Sequence, residues 1–197
     1  MNYLHSDIIQ IKNFLSPEVM ALALKIKGTP EEDKNKNYAG TMLPLDPSIT
    51  EKVLAEYRKH GFQYESLEGA RVRVGTHEDI NDFRSLVHVD HQCKKVLVVY
   101  LENTLYKNPH EAGTLFWEHA STKKKKINMQ SHRDIFLHNM VLHRDSTNLD
   151  QWKEWLSCPF EVNSAVVFDS LYFHSPPHPG FEKNTPGRRV TLDIFLN

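Results

Sequence analysis

Two histidines and an aspartate fall within four positions of the segment SLVHVDHQC, residues 85–93. Imidazole and carboxylate groups one residue apart can ligate a divalent metal when the backbone turns both to one face, and an extended strand does this because successive side chains alternate. His88 and Asp90 would then project together, with Val87 and Val89 on the other side. His-x-Asp alone decides nothing: His77-Glu78-Asp79 and His143-Arg144-Asp145 repeat the pattern, and chance supplies roughly 0.7 such pairs in a chain of this composition. The first of these lies in the all-polar run GTHEDIND and the second in a polar excursion, so only the 88/90 pair sits in strand-like sequence.

A second imidazole stands far downstream. The segment NSAVVFDSLYFHSPPHPG reads as an apolar strand, a turn at Asp169-Ser170 and then His174 before a Pro-rich loop. Two neutral imidazoles and one carboxylate form a facial triad that leaves Fe(II) with residual charge and open positions. The C-terminal GRRVTLDIFLN supplies a cation. On a strand Arg189, Thr191 and Asp193 share one face and Val190, Leu192 and Ile194 the other. A guanidinium turned into the core needs an anionic partner: a ligand carboxylate, or Asp193. Arg188 competes for the role, because a one-residue slip exchanges the faces.

These residues need a frame of strands. Seven short segments rich in β-branched and aromatic residues follow Gly61, at 69–75, 85–90, 94–102, 112–118, 160–170, 171–175 and 188–196. Turn residues separate them. Strands without intervening helices argue for an antiparallel sandwich or barrel. Before Gly61 the sequence predicts a short strand around Ile9 and Ile11, then two helices. One starts at Ser16-Pro17 and runs to Gly28; the other starts near Asp46-Pro47 and stops at Gly61. The expectation is one domain over 1–197, helical over about 1–60 and β over about 61–197. An excursion over about 119–158 interrupts it, holding a short helix in NLDQWKEWLSC. That excursion is either a lid over a site or a packed flap in which Phe136, Trp152 and Trp155 cover a sheet edge.

Bulk composition narrows the classes. A chain of 197 residues can bury a single core without staples. With 24 Lys+Arg against 25 Asp+Glu there is no field to draw it to nucleic acid or an anionic membrane. Two cysteines, Cys93 and Cys158, suit a reducing interior. No signal-peptide pattern opens the chain and no apolar run approaches a membrane span, so a cytoplasmic location is expected. The run Lys123–Lys126 reads as a solvated loop. Arg71 and Arg73, in RVRV, read as the outward face of an amphipathic strand, although both would suit an anionic substrate if they faced a pocket.

Taken in order, His88-Val89-Asp90, VLVVYLEN, AGTLFWE, NSAVVFDSLYFH and Arg189-x-Thr191 resemble the Fe(II)/2-oxoglutarate-dependent dioxygenases, particularly their prolyl-hydroxylase-like branch. The opening IIQIKNFLSPEVMALAL resembles the start of that branch as well. The resemblance implies a jelly-roll core, also called a double-stranded β-helix. It implies His88, Asp90 and His174 as iron ligands, and Arg189 as the group binding the distal carboxylate of 2-oxoglutarate. Tyr100 is either a second ligand of that carboxylate or an ordinary strand aromatic, and Thr191 is a weaker candidate for the same place. The implied cofactors are Fe(II), 2-oxoglutarate and O2, with ascorbate as an accessory. The implied reaction is hydroxylation of a small-molecule or peptide substrate, coupled to decarboxylation of 2-oxoglutarate to succinate. Two alternatives share the shape: a cupin-like metal enzyme that does not use 2-oxoglutarate, and a non-catalytic jelly-roll domain that holds a ligand. The first has no need of Arg189, and the second need not keep His88, Asp90, His174 and Arg189 together in order.

Overall fold

A computed structural model describes residues 2–26, 40–76, 87–177 and 186–197. Its core is two antiparallel sheets. Strands β1 (Asn2–His5), β2 (Ile8–Ile11), β3 (Thr41–Pro44), β4 (Leu67–Thr76), β5 (Lys95–Asn103), β8 (Ser164–Asp169) and β10 (Arg188–Leu196) form a seven-stranded sheet in the order β1-β2-β8-β5-β10-β4-β3. Strands β6 (Thr114–His119), β7 (Trp152–Cys158) and β9 (His174–Ser175) form a three-stranded sheet in the order β7-β6-β9. The fold is the expected mainly-β jelly roll with helices attached at the N-terminal end.

Both faces of the large sheet are covered. Helix α1 (Pro17–Ala23) begins at Ser16, whose hydroxyl accepts from the Val19 N–H, with Pro17 in the first helical position. Helix α2 (Pro47–Lys59) begins at Asp46, whose carboxylate accepts from the Ser48 N–H, and ends before Gly61 at φ +87°. These are the start and stop signals that the sequence displays. α1 is shorter than predicted, ending at Ala23, and Gly28 lies outside the described residues. Val19, Val53, Leu54 and Tyr57 of the helices pack on Val72, Leu97, Val99, Val167, Leu192 and Ile194 of the sheet. The opposite face, bearing Val96, Val98, Tyr100, Val166 and Phe168, packs on Phe116, Cys158, Phe160 and Tyr172. A strand buried on both sides has no polar face, which is why β5 reads VLVVYL without alternation. Removing one of these large side chains, Phe168 for example, costs about 3–5 kcal/mol.

Three expectations need correction. NLDQWKEWLSC is not a helix: Leu149–Gln151 is one 3-10 turn, and Trp152–Cys158 is strand β7, paired with β6 from Thr114↔Cys158 to His119↔Trp152. Leu156 and Cys158 pair with Phe116 and Thr114, the register then shifts at Trp155, and Glu154 and Trp152 pair with Trp117 and His119, so the strand turns Cys158 to one apolar cluster and Trp152 to another; aromatic residues favour such a strand. The helix in this region is instead α4 (His132–Asp145), started by Ser131, while a one-turn α3 (Pro109–Ala112) precedes β6. α4 behaves as a packed flap, with Val141 joining Trp152, Trp117, Phe173, Val87 and Val89 in a third apolar cluster. Phe136 takes no part in that cover, being 65% exposed. Finally, Lys123–Lys126 is not simply solvated: Lys124 pairs with Asp134, Lys125 lies 4.2 Å from the Trp155 ring centroid, and Lys126 Nζ lies 3.4 Å from Asp7 Oδ2.

Candidate metal centre and its cleft

Residues 87–90 do not form the predicted ladder strand. Residues 85 and 86 lie outside the described residues, and His88 makes an isolated antiparallel bridge to His174. The bridge is reciprocal, His88 N–H to His174 O and His174 N–H to His88 O, each 2.9 Å. Two residues on, the Asp90 N–H donates to Ser170 O at 2.9 Å. Alternation therefore survives without a ladder. Val87 and Val89 are buried in the apolar cluster with Trp117 and Phe173, leaving His88 and Asp90 to face the cleft between the sheets. His174 is itself pinned to β6 opposite Phe116.

One ligand atom from each of His88, Asp90 and His174 falls within 4.8 Å of the others. The two imidazole centroids are 4.3 Å apart, and His174 Nε2 stands 3.2 Å from Asp90 Oδ2. His174 Nδ1 is 2.9 Å from Tyr172 O. A carbonyl only accepts, so Nδ1 carries a proton, which leaves Nε2, the nitrogen on the Asp90 side, as the atom that would ligate a metal once the metal displaces the proton it shares with Asp90. Burial pushes the Asp90 carboxyl upward. The hydrogen bond and charge of His174, with the charges of His88 and Arg73, outweigh it and hold the carboxyl at about 2. Asp90 is thus anionic throughout the neutral range. Two imidazoles and one buried carboxylate make a donor set that suits a divalent transition metal.

Of the other two His-x-Asp pairs, His77-Glu78-Asp79 lies outside the described residues. His143 and Asp145 end α4, where Asp145 Oδ2 instead meets His119 Nε2 at 3.2 Å and Arg144 Nη2 at 2.8 Å. A helix turns positions i and i+2 apart.

The same cleft contains Arg189. Register decides between the two arginines. Arg188 faces outward and grips Glu102 through Nε and Nη2 at 2.7 and 2.6 Å. Arg189 is 7% exposed, and its Nε donates to Ala112 O at 2.7 Å. Nη2 lies 3.4 Å from Gly113 O, and the Tyr100 and Phe160 rings lie 5.9 and 5.6 Å from the guanidinium carbon. Burial draws the Arg189 pKa down from its ordinary value, yet a guanidinium keeps its charge. Asp193 is not its ion-pair partner: Asp193 Oδ2 sits 3.1 Å from Arg73 Nε, while Asp193 Oδ1 accepts from the Thr191 hydroxyl at 3.0 Å. Tyr100 is fully buried, with its hydroxyl 2.7 Å from Thr114 Oγ1. Tyr100 backs the guanidinium from the core, and Thr114 lines the cleft.

The sequence reading passes over Thr114, offers Asp193 only as a partner for Arg189, and prefers an outward face for RVRV over a pocket-facing one; the structure reverses that preference. β4 pairs with β10 through Thr191↔Arg73 and Asp193↔Arg71, and residues directly opposite share a face. The intervening Val72 packs under the helices, so Arg71 and Arg73 turn toward the inter-sheet side. The available signal was the pattern RVRV set opposite RVTLD, visible only once the two strands are paired.

No protein-family model matches the chain, and no curated protein matches it by sequence. Solved structures do. HygX from Streptomyces hygroscopicus, with nickel, 2-oxoglutarate and hygromycin B bound, aligns with a TM-score of 0.57 at 11% identity over 95% of this chain and 81% of that one. The non-heme alpha ketoglutarate dependent carbocyclase SnoK from nogalamycin biosynthesis aligns at 0.56 and 12% identity, over 97% and 79%. The epimerase SnoN of the same biosynthesis aligns at 0.52 and 11%, over 97% and 78%. At such identities the likeness establishes a shared fold. Among the described residues no helix is long and apolar enough to cross a membrane.

Proposed function

We propose that this chain is a non-haem Fe(II)- and 2-oxoglutarate-dependent oxygenase, with His88, Asp90 and His174 holding the metal and Arg189 receiving the distal carboxylate of 2-oxoglutarate. The observation that carries the reading is the meeting, in one cleft, of the His88/Asp90/His174 cluster with a buried cation anchored on the opposite sheet. A metal enzyme without a keto-acid co-substrate has no use for Arg189, a ligand-holding domain need not keep all four residues together, and burying an unmatched guanidinium costs several kcal/mol. A bound dicarboxylate would offset that cost at one end and would present its keto-acid end to the metal held by His88, Asp90 and His174.

The residues divide the work. His88 and His174 are locked to each other by backbone hydrogen bonds, so the donor atoms are arranged before a metal arrives. His174 keeps its Nε2 available through the Tyr172 carbonyl. The carbonyls of Ala112 and Gly113 orient the guanidinium of Arg189. Tyr100 holds Thr114 at the wall of the cleft that also contains Arg189, where its hydroxyl would face the same carboxylate, and Thr191 acts indirectly by orienting Asp193. When bound, Fe(II) with 2-oxoglutarate supplies O2-dependent oxidation, decarboxylating 2-oxoglutarate to succinate. We infer hydroxylation as the outcome, on the motif order that resembles the prolyl-hydroxylase-like branch, with ascorbate as an accessory reductant and the cytoplasm as the compartment.

The test is anaerobic titration of Fe(II)-loaded protein with 2-oxoglutarate. A weak visible charge-transfer band is expected, together with loss of iron binding in Asp90→Ala. Iron binding without the band would reject the co-substrate, and 2-oxoglutarate turnover that survives Asp90→Ala would reject the site.

A further inference from the structure

Helix α4 is anchored by its acids. Asp134, near its start, engages Lys124 and accepts from the Asn128 N–H, and Asp145, at its end, engages Arg144 and His119. Both carboxylates are buried. At about 100° per residue, Asp134, Val141 and Asp145 fall in one sector of the helix, the one that Val141 packs against Trp152 and Phe173. The outward sector carries Arg133, Phe136, Met140, His143 and Arg144, all exposed, and no carboxylate. Phe136 is 65% and Met140 45% exposed. Four residues apart, they form one apolar ridge, with Arg133 before it and Arg144 after it. Met129, just ahead of the helix, is exposed as well, so three of the six large apolar side chains exposed among the described residues gather here. The other three, Leu24, Leu67 and Val162, stand singly on other elements. An apolar patch with a polar rim marks an interaction site. We propose that the outer face of α4 docks an acidic polypeptide segment whose own apolar side chains receive Phe136 and Met140.

Charge selects this occupant over two others. In a twofold contact with a second copy the same face meets itself, which would set Arg133 and Arg144 against their counterparts with no carboxylate of α4 between them. Such like-charge juxtaposition opposes association. A membrane-surface helix buries a broad apolar face in the bilayer, whereas α4 offers a narrow ridge bordered by a guanidinium. A segment that alternates carboxylates with apolar residues meets both features: Arg133 grips a carboxylate through its planar fork, and Phe136 is the aromatic anchor that such interfaces centre on. The docked segment would also lie beside the metal-bearing cleft. His138 of α4 contacts the ring of His91, next to Asp90, with centroids 5.9 Å apart, and Met129 lines a cavity together with His91. The surface itself does not depend on the functional reading above.

The test is an NMR titration of the isotope-labelled full chain with three synthetic helical peptides. One carries Leu at positions i, i+3, i+4 and i+7 with Glu around them, the second has Lys in place of Glu, and the third has Glu with Ser in place of Leu. Binding of the Glu/Leu peptide alone is expected, with amide shifts concentrated in residues 132–145. Its affinity should fall about tenfold or more in Phe136→Ser and in Arg133→Glu. Val162→Ser, which removes a similarly exposed apolar side chain elsewhere, should bind as the parent does. The replaced side chains are exposed, so urea midpoints of all three variants should match the parent and separate lost binding from lost folding. The proposal is overturned by the absence of shifts at about 1 mM Glu/Leu peptide, by equal binding of the Lys/Leu peptide, or by binding that survives Phe136→Ser. Dimerisation in light scattering that Phe136→Ser abolishes would give the face to a second copy instead. Flotation with phosphatidylserine vesicles that the same change abolishes would give it to a membrane, and either result overturns the acidic segment.

Discussion

Neighbouring arginines on opposite faces of one strand make a sharp test of the proposed co-substrate site. Arg189→Gln removes the guanidinium whose Nε and Nη2 face the Ala112 and Gly113 carbonyls. The glutamine amide can still donate to one of those carbonyls but offers no cation to the cleft. A charge-assisted hydrogen bond at a buried site contributes about 1.5–3 kcal/mol, and 1.4 kcal/mol is about tenfold in affinity. The dissociation constant for 2-oxoglutarate should therefore rise by about 10- to 150-fold, read from the charge-transfer band in anaerobic titration, with Fe(II) affinity retained. Arg188→Gln is the matched control. It breaks a bidentate pair with Glu102, but the Arg188 side chain is 55% exposed. Solvent screening limits such a pair to about 1 kcal/mol of stability or less, and 2-oxoglutarate affinity should not change. The reasoning is refuted if the two variants bind 2-oxoglutarate alike, or if Arg189→Gln loses iron in parallel with the co-substrate.

Gly113→Ala should act on the same carboxylate site from a distance: its Cβ would come within 1.7 Å of the Cys158 carbonyl oxygen, a backbone atom that yields only if β6 and β7 move. Urea unfolding should show a loss of about 1–3 kcal/mol, with weaker 2-oxoglutarate binding as the carbonyl that faces Arg189 shifts; a variant as stable as the parent would disprove the close approach. Asp145 gives a pH signature. The Arg144 hydrogen bond, opposed by burial and aided by His119, holds its carboxyl below the ordinary 3.8. Because the folded-state pKa is depressed, the stabilisation is complete above the unfolded value and disappears as pH falls through the folded one. Asp145→Asn should thus be less stable than the parent by about 1–2 kcal/mol near neutrality, and urea midpoints of the two should converge below about pH 4; a gap that stays constant with pH would contradict the assignment.

The sequence made the site legible through chemistry and the frame through pattern, and it failed where both sides of a strand are apolar or charged for different reasons. His88, Asp90 and His174 stand out because alternation alone places the first two together, and that holds here even though the segment forms one bridge instead of a ladder. The ends of α1 and α2 are written in Ser16-Pro17, Asp46-Pro47 and Gly61, where local hydrogen bonds and backbone freedom decide the outcome. Trp152–Cys158 was misread because WKEW spacing fits a helix nearly as well as an edge strand, and only pairing with β6 distinguishes them.

The arginines of β4 carry the larger lesson. In a sheet with one wet face, alternating Arg and Val orient themselves: Val goes in and Arg goes out. Here Val72 is buried against helices and Arg73 is nearly as hidden on the other side, so alternation fixes that the two differ in face without saying which face is interior to the cleft. The missing information is the partner strand. Once Thr191↔Arg73 and Asp193↔Arg71 are known, the buried carboxylate of Asp193 requires a cation on that side, and Arg73 supplies it. The requirement then extends along the strand: Arg71, at the next position on the same face, is carried to the cavity wall whatever its own preference for water. A strand that must neutralise Asp193 at one position thereby delivers a second guanidinium to the wall of the cavity that Asp90 also lines.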